Sequence, residues 1–146
     1  MASKTDRRSR LALAITAALC ILLAGALAVA AASLSVRLNL QGGYANRQLT
    51  ACSLKHHYTF FHAGQTITMK GTVVPKPPRH WRVKVKVKQC LHGSFRTIWT
   101  RYARGRTIGS FKITYPASRH GFLFARAYYY GVKPAAKSDK QYFRIP

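Results

Sequence analysis

Between Trp81 and Lys88 apolar and cationic residues alternate without a break. In an extended strand, successive side chains point to opposite faces. Trp81, Val83, Val85 and Val87 therefore belong to one face, and Arg82, Lys84, Lys86 and Lys88 form a row on the other. At a spacing of about 6.8 Å, neighbouring charges in water repel by about 0.6 kcal/mol. That is small enough to hold in solvent, and it is relieved when a polyanion lies along the row. The row has a second reading, because alternate lysines also keep an edge strand from pairing with other chains. Arg101, Arg104 and Arg106 make a second cluster, in a loop, and arginine suits bidentate phosphate contact better than lysine does.

The rest of the chain offers little catalytic chemistry. Lysine and arginine total 25 against two acids, Asp6 and Asp139, and glutamate is absent. Without Lys4, Arg7, Arg8, Arg10 and Asp6 of the first 32 residues, 21 cations face one aspartate over 114 residues. Paired carboxylates for glycoside cleavage, an acid to orient a catalytic histidine, and carboxylate cages for Mg²⁺ or Ca²⁺ cannot be built from that inventory. The six histidines, His56, His57, His62, His80, His92 and His120, lack the short spacings of a zinc site. The expectation is a non-enzyme with no metal and no cofactor. Its charge would be met by water or by an external anion, such as an acidic envelope polymer, a lipid headgroup surface or nucleic acid.

Strand signals dominate from residue 52 onward. Seven strands are expected, over residues 55–61, 66–74, 81–91, 95–102, 111–115, 122–130 and 140–145, with glycine and proline between them and no helical periodicity. Pro75, Pro77 and Pro78 end the second, since proline has no donor for a ladder. His92-Gly93-Ser94 closes the third and fourth into a hairpin. Residues 33–51, with Val36, Leu38 and Leu40 alternating before Gly42-Gly43, read as a short strand or a spacer. Such spacing suggests a two-sheet sandwich over residues 52–146.

Ahead of it, residues 1–10 are basic and 11–32 are free of charge and apolar. Twenty-two residues in a helix reach about 33 Å, enough to cross a hydrocarbon core of about 30 Å. The alanine-rich end also suits a signal peptidase. Residues 1–32 are thus a cleaved signal or a transmembrane anchor, and either sends the domain out of the cytoplasm. Cys20 follows Leu19, which does not suit lipid attachment. In an exported domain the two remaining cysteines, Cys52 and Cys90, most simply form one disulfide. Closing about 38 residues would stabilise by roughly 4 kcal/mol. Cys90 shares the parity of Lys86 and Lys88, so without a bulge the bridge lies outside the core and over the cationic face.

The segment Gly71-Thr72-Val73-Val74-Pro75, the Val-Lys alternation, Gly109-Ser110-Phe111 and the run Gly121-Phe122-Leu123-Phe124-Ala125-Arg126-Ala127 resemble the small immunoglobulin-like sandwich domains of exported actinobacterial proteins. The likeness spans about residues 60–146, and its motifs are packing motifs. It departs at Leu123, where the family usually has an aromatic, and at Cys52 and Cys90, which lie outside the pattern. The resemblance implies an all-β, seven-stranded immunoglobulin-like sandwich behind a signal or anchor helix, used as a spacer or binding module. It also implies that Leu123, Ala125 and Ala127 face the core, leaving Phe122, Phe124 and Tyr128 outward as an aromatic surface beside Tyr129 and Tyr130. With the opposite parity those aromatics are core.

The chain is therefore expected to be an exported or membrane-tethered module that binds an anionic envelope polymer or membrane surface through Arg82, Lys84, Lys86 and Lys88. The alternative is an assembly module docking a protein partner by a sheet edge or its aromatic face. Nucleic acid ranks below both, because the leader directs the domain away from it.

Overall fold

A computed structural model describes residues 33–146, apart from Arg79 and Thr107, so the expected leader helix and its signal or anchor role lie outside the described residues. Ten strands follow in order: β1 (Ser35–Gln41), β2 (Ala45–Ala51), β3 (Leu54–Phe60), β4 (Thr66–Val74), β5 (Arg82–Leu91), β6 (Ser94–Arg104), β7 (Ser110–Pro116), β8 (Gly121–Tyr129), β9 (Ala136–Lys137) and β10 (Gln141–Ile145). Seven had been expected. The additions are β1 and β2 within residues 33–51, where a strand or a spacer was foreseen, and the two-residue β9 in the loop before β10.

The strands form two sheets. One is β1-β4-β7, antiparallel throughout, and the other runs β2-β3-β10-β8-β5-β6 with β9 added beside β8. Among the described residues the single parallel pairing is β10 with β3, at Phe143 with Thr59 and Arg144 with Phe60. Alternation explains how the sheets face each other. Ile67, Met69 and Val73 of β4 and Val83, Val85 and Val87 of β5 are buried in one core, joined by Val36, Leu38, Phe111, Leu123, Ala125, Ala127 and Phe143. Each large apolar side chain so buried stabilises by about 1.5–3 kcal/mol relative to exposure. Leu123, Ala125 and Ala127 thus face inward, as the β8 pattern implied. Two glycines let the core close. A Cβ on Gly71 would lie 2.2 Å from the Arg37 carbonyl oxygen and 2.3 Å from the Phe111 ring, and one on Gly105 would lie 1.8 Å from the Trp81 indole.

The second sheet also carries an apolar layer on its outer side. Ala51, Tyr58 and Phe60 are buried there against Leu49, Cys90, Phe122 and Tyr142. What covers it is the β2-β3 hairpin. Cys52 is bonded to Cys90 with Cα atoms 5.8 Å apart, although β10 and β8 stand between β3 and β5 in the sheet. Three strand spacings in a flat sheet amount to about 14 Å. The hairpin tip must therefore leave the plane and cross the outer face. Its turn residues Cys52 and Ser53 have φ of 49° and 60°, a left-handed pair that non-glycine residues adopt at a cost of about 1–2 kcal/mol each, offset by the bridge.

Candidate polyanion-binding face

The expected cationic row exists as a physical surface on the outer face of the larger sheet, on β5, one strand in from the β6 edge. Val83, Val85 and Val87 point into the core, so Arg82, Lys84, Lys86 and Lys88 point outward between β8 and β6. Cross-strand partners define the rest of the surface. On β8, Phe124 stands opposite Lys88, Arg126 opposite Lys86 and Tyr128 opposite Lys84. On β6, Thr97, Thr100, Tyr102 and Arg104 stand opposite Lys88, Lys86, Lys84 and Arg82.

The ammonium groups lie over aromatic rings. Lys84 Nζ is 5.2 Å from the Tyr102 ring centroid and 5.0 Å from that of Tyr130. Lys86 Nζ is 5.3 Å from Tyr128, and Tyr128 stacks with Tyr130 at 6.3 Å. Such contacts contribute about 0.5–1 kcal/mol each at exposed sites. They also fix the long side chains, so less freedom is lost when an anion binds. The Tyr102 phenol holds the Lys84 pKa above the ordinary lysine value by hydrogen bonding, against a smaller opposing effect of desolvation. After Asp6, Asp139 is the only acidic side chain in the sequence. The charge of this face therefore goes largely unneutralised within the chain.

A bulge decides which residue meets Lys84. The β5-β6 pairing shifts between Val87 and Lys88, where Val87 pairs with Trp99 and Lys88 with Thr97, leaving Ile98 without a partner. β5 itself keeps its parity, so Cys90 stays on the lysine side. On β6 the extra residue places Arg101 opposite Val85 and hence on the opposite side of the strand from the lysine row. Of the expected arginine cluster, only Arg104 joins the row, in register with Arg82. Neither lies in a loop, since both Arg101 and Arg104 belong to β6. Arg106 lines a cleft of about 570 Å³ on the outer face of the β1-β4-β7 sheet, with Arg37, Lys70 and Lys112.

The aromatic surface needs correction. Phe122, Phe124 and Tyr128 do point away from the core, but Phe124 is only 4 % exposed. Phe95 and Tyr142 pack on it, at 4.9 and 5.6 Å between centroids, and Lys88 and Lys140 lie over its ring. Phe122 is partly buried against Tyr58 at 5.1 Å and beneath Arg144 at 4.8 Å. Tyr129 belongs to the core and packs against Trp81. The open part of the face therefore runs from Arg82 to Lys86 with Tyr102, Tyr128 and Tyr130. Its lower end, at Lys88 and Phe124, adjoins the disulfide and the hairpin.

Sequence reasoning missed Tyr102, Arg126, and the Arg37, Lys70 and Lys112 group. The last was visible in part, because Thr68-Lys70-Thr72 alternates against Ile67, Met69 and Val73. Arg126 is held by its Nε donating to the Ser138 carbonyl at 2.7 Å, and Ser138 Oγ accepts from the Ala127 amide at 3.0 Å. Among the described residues no three of His, Cys, Asp or Glu gather as metal ligands would. Two of the histidines are stacking partners instead, His56 on Tyr142 at 3.8 Å and His62 on Tyr44 at 4.3 Å.

No protein-family model matches the chain, and no curated protein matches it.

Proposed function

We propose that this chain is a non-enzymatic binding module, exported or tethered by residues 11–32, whose lysine-tyrosine face holds an anionic polymer of the cell envelope. The observation that carries the reading is the register of Lys84 and Lys86 with Tyr102 and Tyr128 on an open sheet face, where the described residues offer no carboxylate side chain besides Asp139. A flexible polyphosphate or acidic glycan laid along β5 meets a charge about every 6.8 Å, and the tyrosine rings give sugars or bases a stacking surface. We read the fold as immunoglobulin-like, of the kind found in exported actinobacterial proteins. The order β1-β4-β7 against β3-β10-β8-β5-β6, with the β3-β10 pair parallel, supports that reading, as do the glycine motifs before β7 and at β8.

Docking of a protein partner by strand addition is the weaker reading. The free edge of the larger sheet at β6 carries Arg96, Arg101 and Arg104, and cationic residues on an edge strand oppose pairing with another chain.

The test is retention on immobilised inorganic polyphosphate. Strong retention at low salt that falls steeply as salt rises is expected, together with its loss in a variant with Arg82, Lys84, Lys86 and Lys88 all changed to Gln. Unchanged retention in that variant, or between low and high salt, contradicts the proposal.

A further inference from the structure

One end of the sandwich combines projecting apolar side chains with cations. The β4-β5 loop and the β6-β7 turn are held together there. The Val73 amide donates to the Gly109 carbonyl at 2.9 Å, and the Gly105 amide donates to the Trp81 carbonyl at 3.0 Å. From these segments project Val74 and Ile108, the latter 80 % exposed and the most exposed large apolar side chain among the described residues. Ile108 is held outward by a closed turn. The Arg106 amide donates to the Ser110 carbonyl at 2.8 Å and the Gly109 amide to the Arg106 carbonyl at 3.1 Å. Tyr130, also exposed, sits at the same end, because the preceding Tyr129 pairs with Val83 near the start of β5.

A single exposed isoleucine is ordinary. Here it shares its end of the fold with Lys76, Arg104 and Arg106, and the one acid that follows Asp6, Asp139, belongs to the segment before β10. Apolar side chains that reach out, an amphipathic aromatic and a set of cations make up the composition of a surface that lies in the headgroup layer of a bilayer. A protein groove could cover Ile108, but it would not call for this charge. The start of β1 lies at this end too, where Ser35 pairs with Val74.

We propose that this end docks on an anionic lipid bilayer, with Ile108 and Val74 entering the interfacial layer and the cations meeting lipid phosphates. This surface adjoins the polymer-binding face and shares Tyr130 and Arg104 with it, but Ile108 and Val74, which distinguish it, lie outside that face, and either binding can occur without the other. The experiment uses the full chain in vesicles of phosphatidylglycerol or of phosphatidylcholine, both carrying brominated acyl chains, with tryptophan emission read against the unsubstituted protein. Ile108→Trp places a probe at the proposed contact. Leu91→Trp places one beside the β5-β6 turn at the opposite end, and Val74→Trp is a second probe should Ile108→Trp fail to fold. Quenching and a blue shift of the added emission are expected for Ile108→Trp and Val74→Trp in the anionic vesicles alone, and neither change for Leu91→Trp. Absence of quenching in anionic vesicles, equal quenching at Leu91→Trp, or equal quenching in phosphatidylcholine overturns the proposal. Polyphosphate retention of the same variants separates its failure from failure of the polymer reading.

Discussion

Lys84 and Tyr102 stand directly opposite each other across β5 and β6, with the ammonium 5.2 Å from the ring centroid, because β6 holds one residue more than its partner at Ile98. If the register of the Leu91-Ser94 end continued without the shift, with Ile98 paired to Val87, Arg101 would face Lys84. Like charges directly opposite on a sheet are destabilising, whereas an aromatic beside a cation is favourable. The bulge therefore exchanges a Lys84-Arg101 pair for a cation-aromatic one at the centre of the row, while setting Arg104 opposite Arg82 at its end.

The phenol of Tyr102 raises the Lys84 pKa, so this interaction stabilises the fold below the ordinary lysine value and is lost as pH rises through the raised one. Tyr102→Phe keeps the ring and removes the hydroxyl. The Lys84 pKa is expected to fall towards the ordinary value, followed by NMR titration of the lysine side-chain carbons. An unchanged Lys84 titration would show that the hydroxyl has no part in it.

The Cys52-Cys90 bridge holds the β2-β3 hairpin, with its Tyr58, against Phe122 and Tyr142. Replacing both cysteines with Ser is expected to destabilise the domain by about 4 kcal/mol, the loop-entropy value for 38 residues. It should also increase binding of a hydrophobic dye as the outer aromatic layer loosens. Denaturant titration checks the first effect and dye fluorescence the second.

Tyr58 is fully buried, and its hydroxyl has no hydrogen-bond partner among the described residues. Burial raises its pKa above the ordinary tyrosine value, with Tyr142 adding to the effect. Tyr115 is also raised by burial, with Arg119 opposing. Both native residues keep a proton that the unfolded chain releases near pH 10, so stability should fall as pH climbs beyond that value. Tyr58→Phe removes an unsatisfied polar atom and one source of the alkaline loss. It is expected to be neutral or stabilising by about 1 kcal/mol at neutral pH, and to reduce the fall above pH 10. A clear loss of stability at neutral pH would mean that the hydroxyl is satisfied in solution.

The legible parts of the fold were those with period-two patterns. In β4 and β5 the alternation marks both the strand and its buried face, and for β8 the motif likeness supplied the parity of Leu123, Ala125 and Ala127. β2 was illegible because Asn46, Arg47 and Gln48 are all exposed and their neighbours set up no apolar rhythm. The burial of Phe124 depends on Phe95 and Tyr142, 29 residues before it and 18 after it in sequence, which strand parity cannot bring together. Arg101 faces away from Arg104, where sequence proximity groups them, and a single-residue bulge, which reverses a strand's faces without any glycine or proline to announce it, puts Arg104 on the lysine side.

The central claim is that the lysine-tyrosine face, and not net charge alone, holds the polymer. It is tested most directly by comparing two charge-matched variants, Lys84→Gln/Lys86→Gln and Lys70→Gln/Lys112→Gln, in polyphosphate binding measured across salt concentrations. The first pair lies on the proposed face and the second on the outer side of the opposite sheet. For Lys84→Gln/Lys86→Gln the log-log salt slope should shrink by roughly 0.7 per lysine removed, taking the value for single-stranded polyanions. For Lys70→Gln/Lys112→Gln it should stay near that of the unsubstituted protein. Equal losses in the two variants would contradict the assignment of binding to this face.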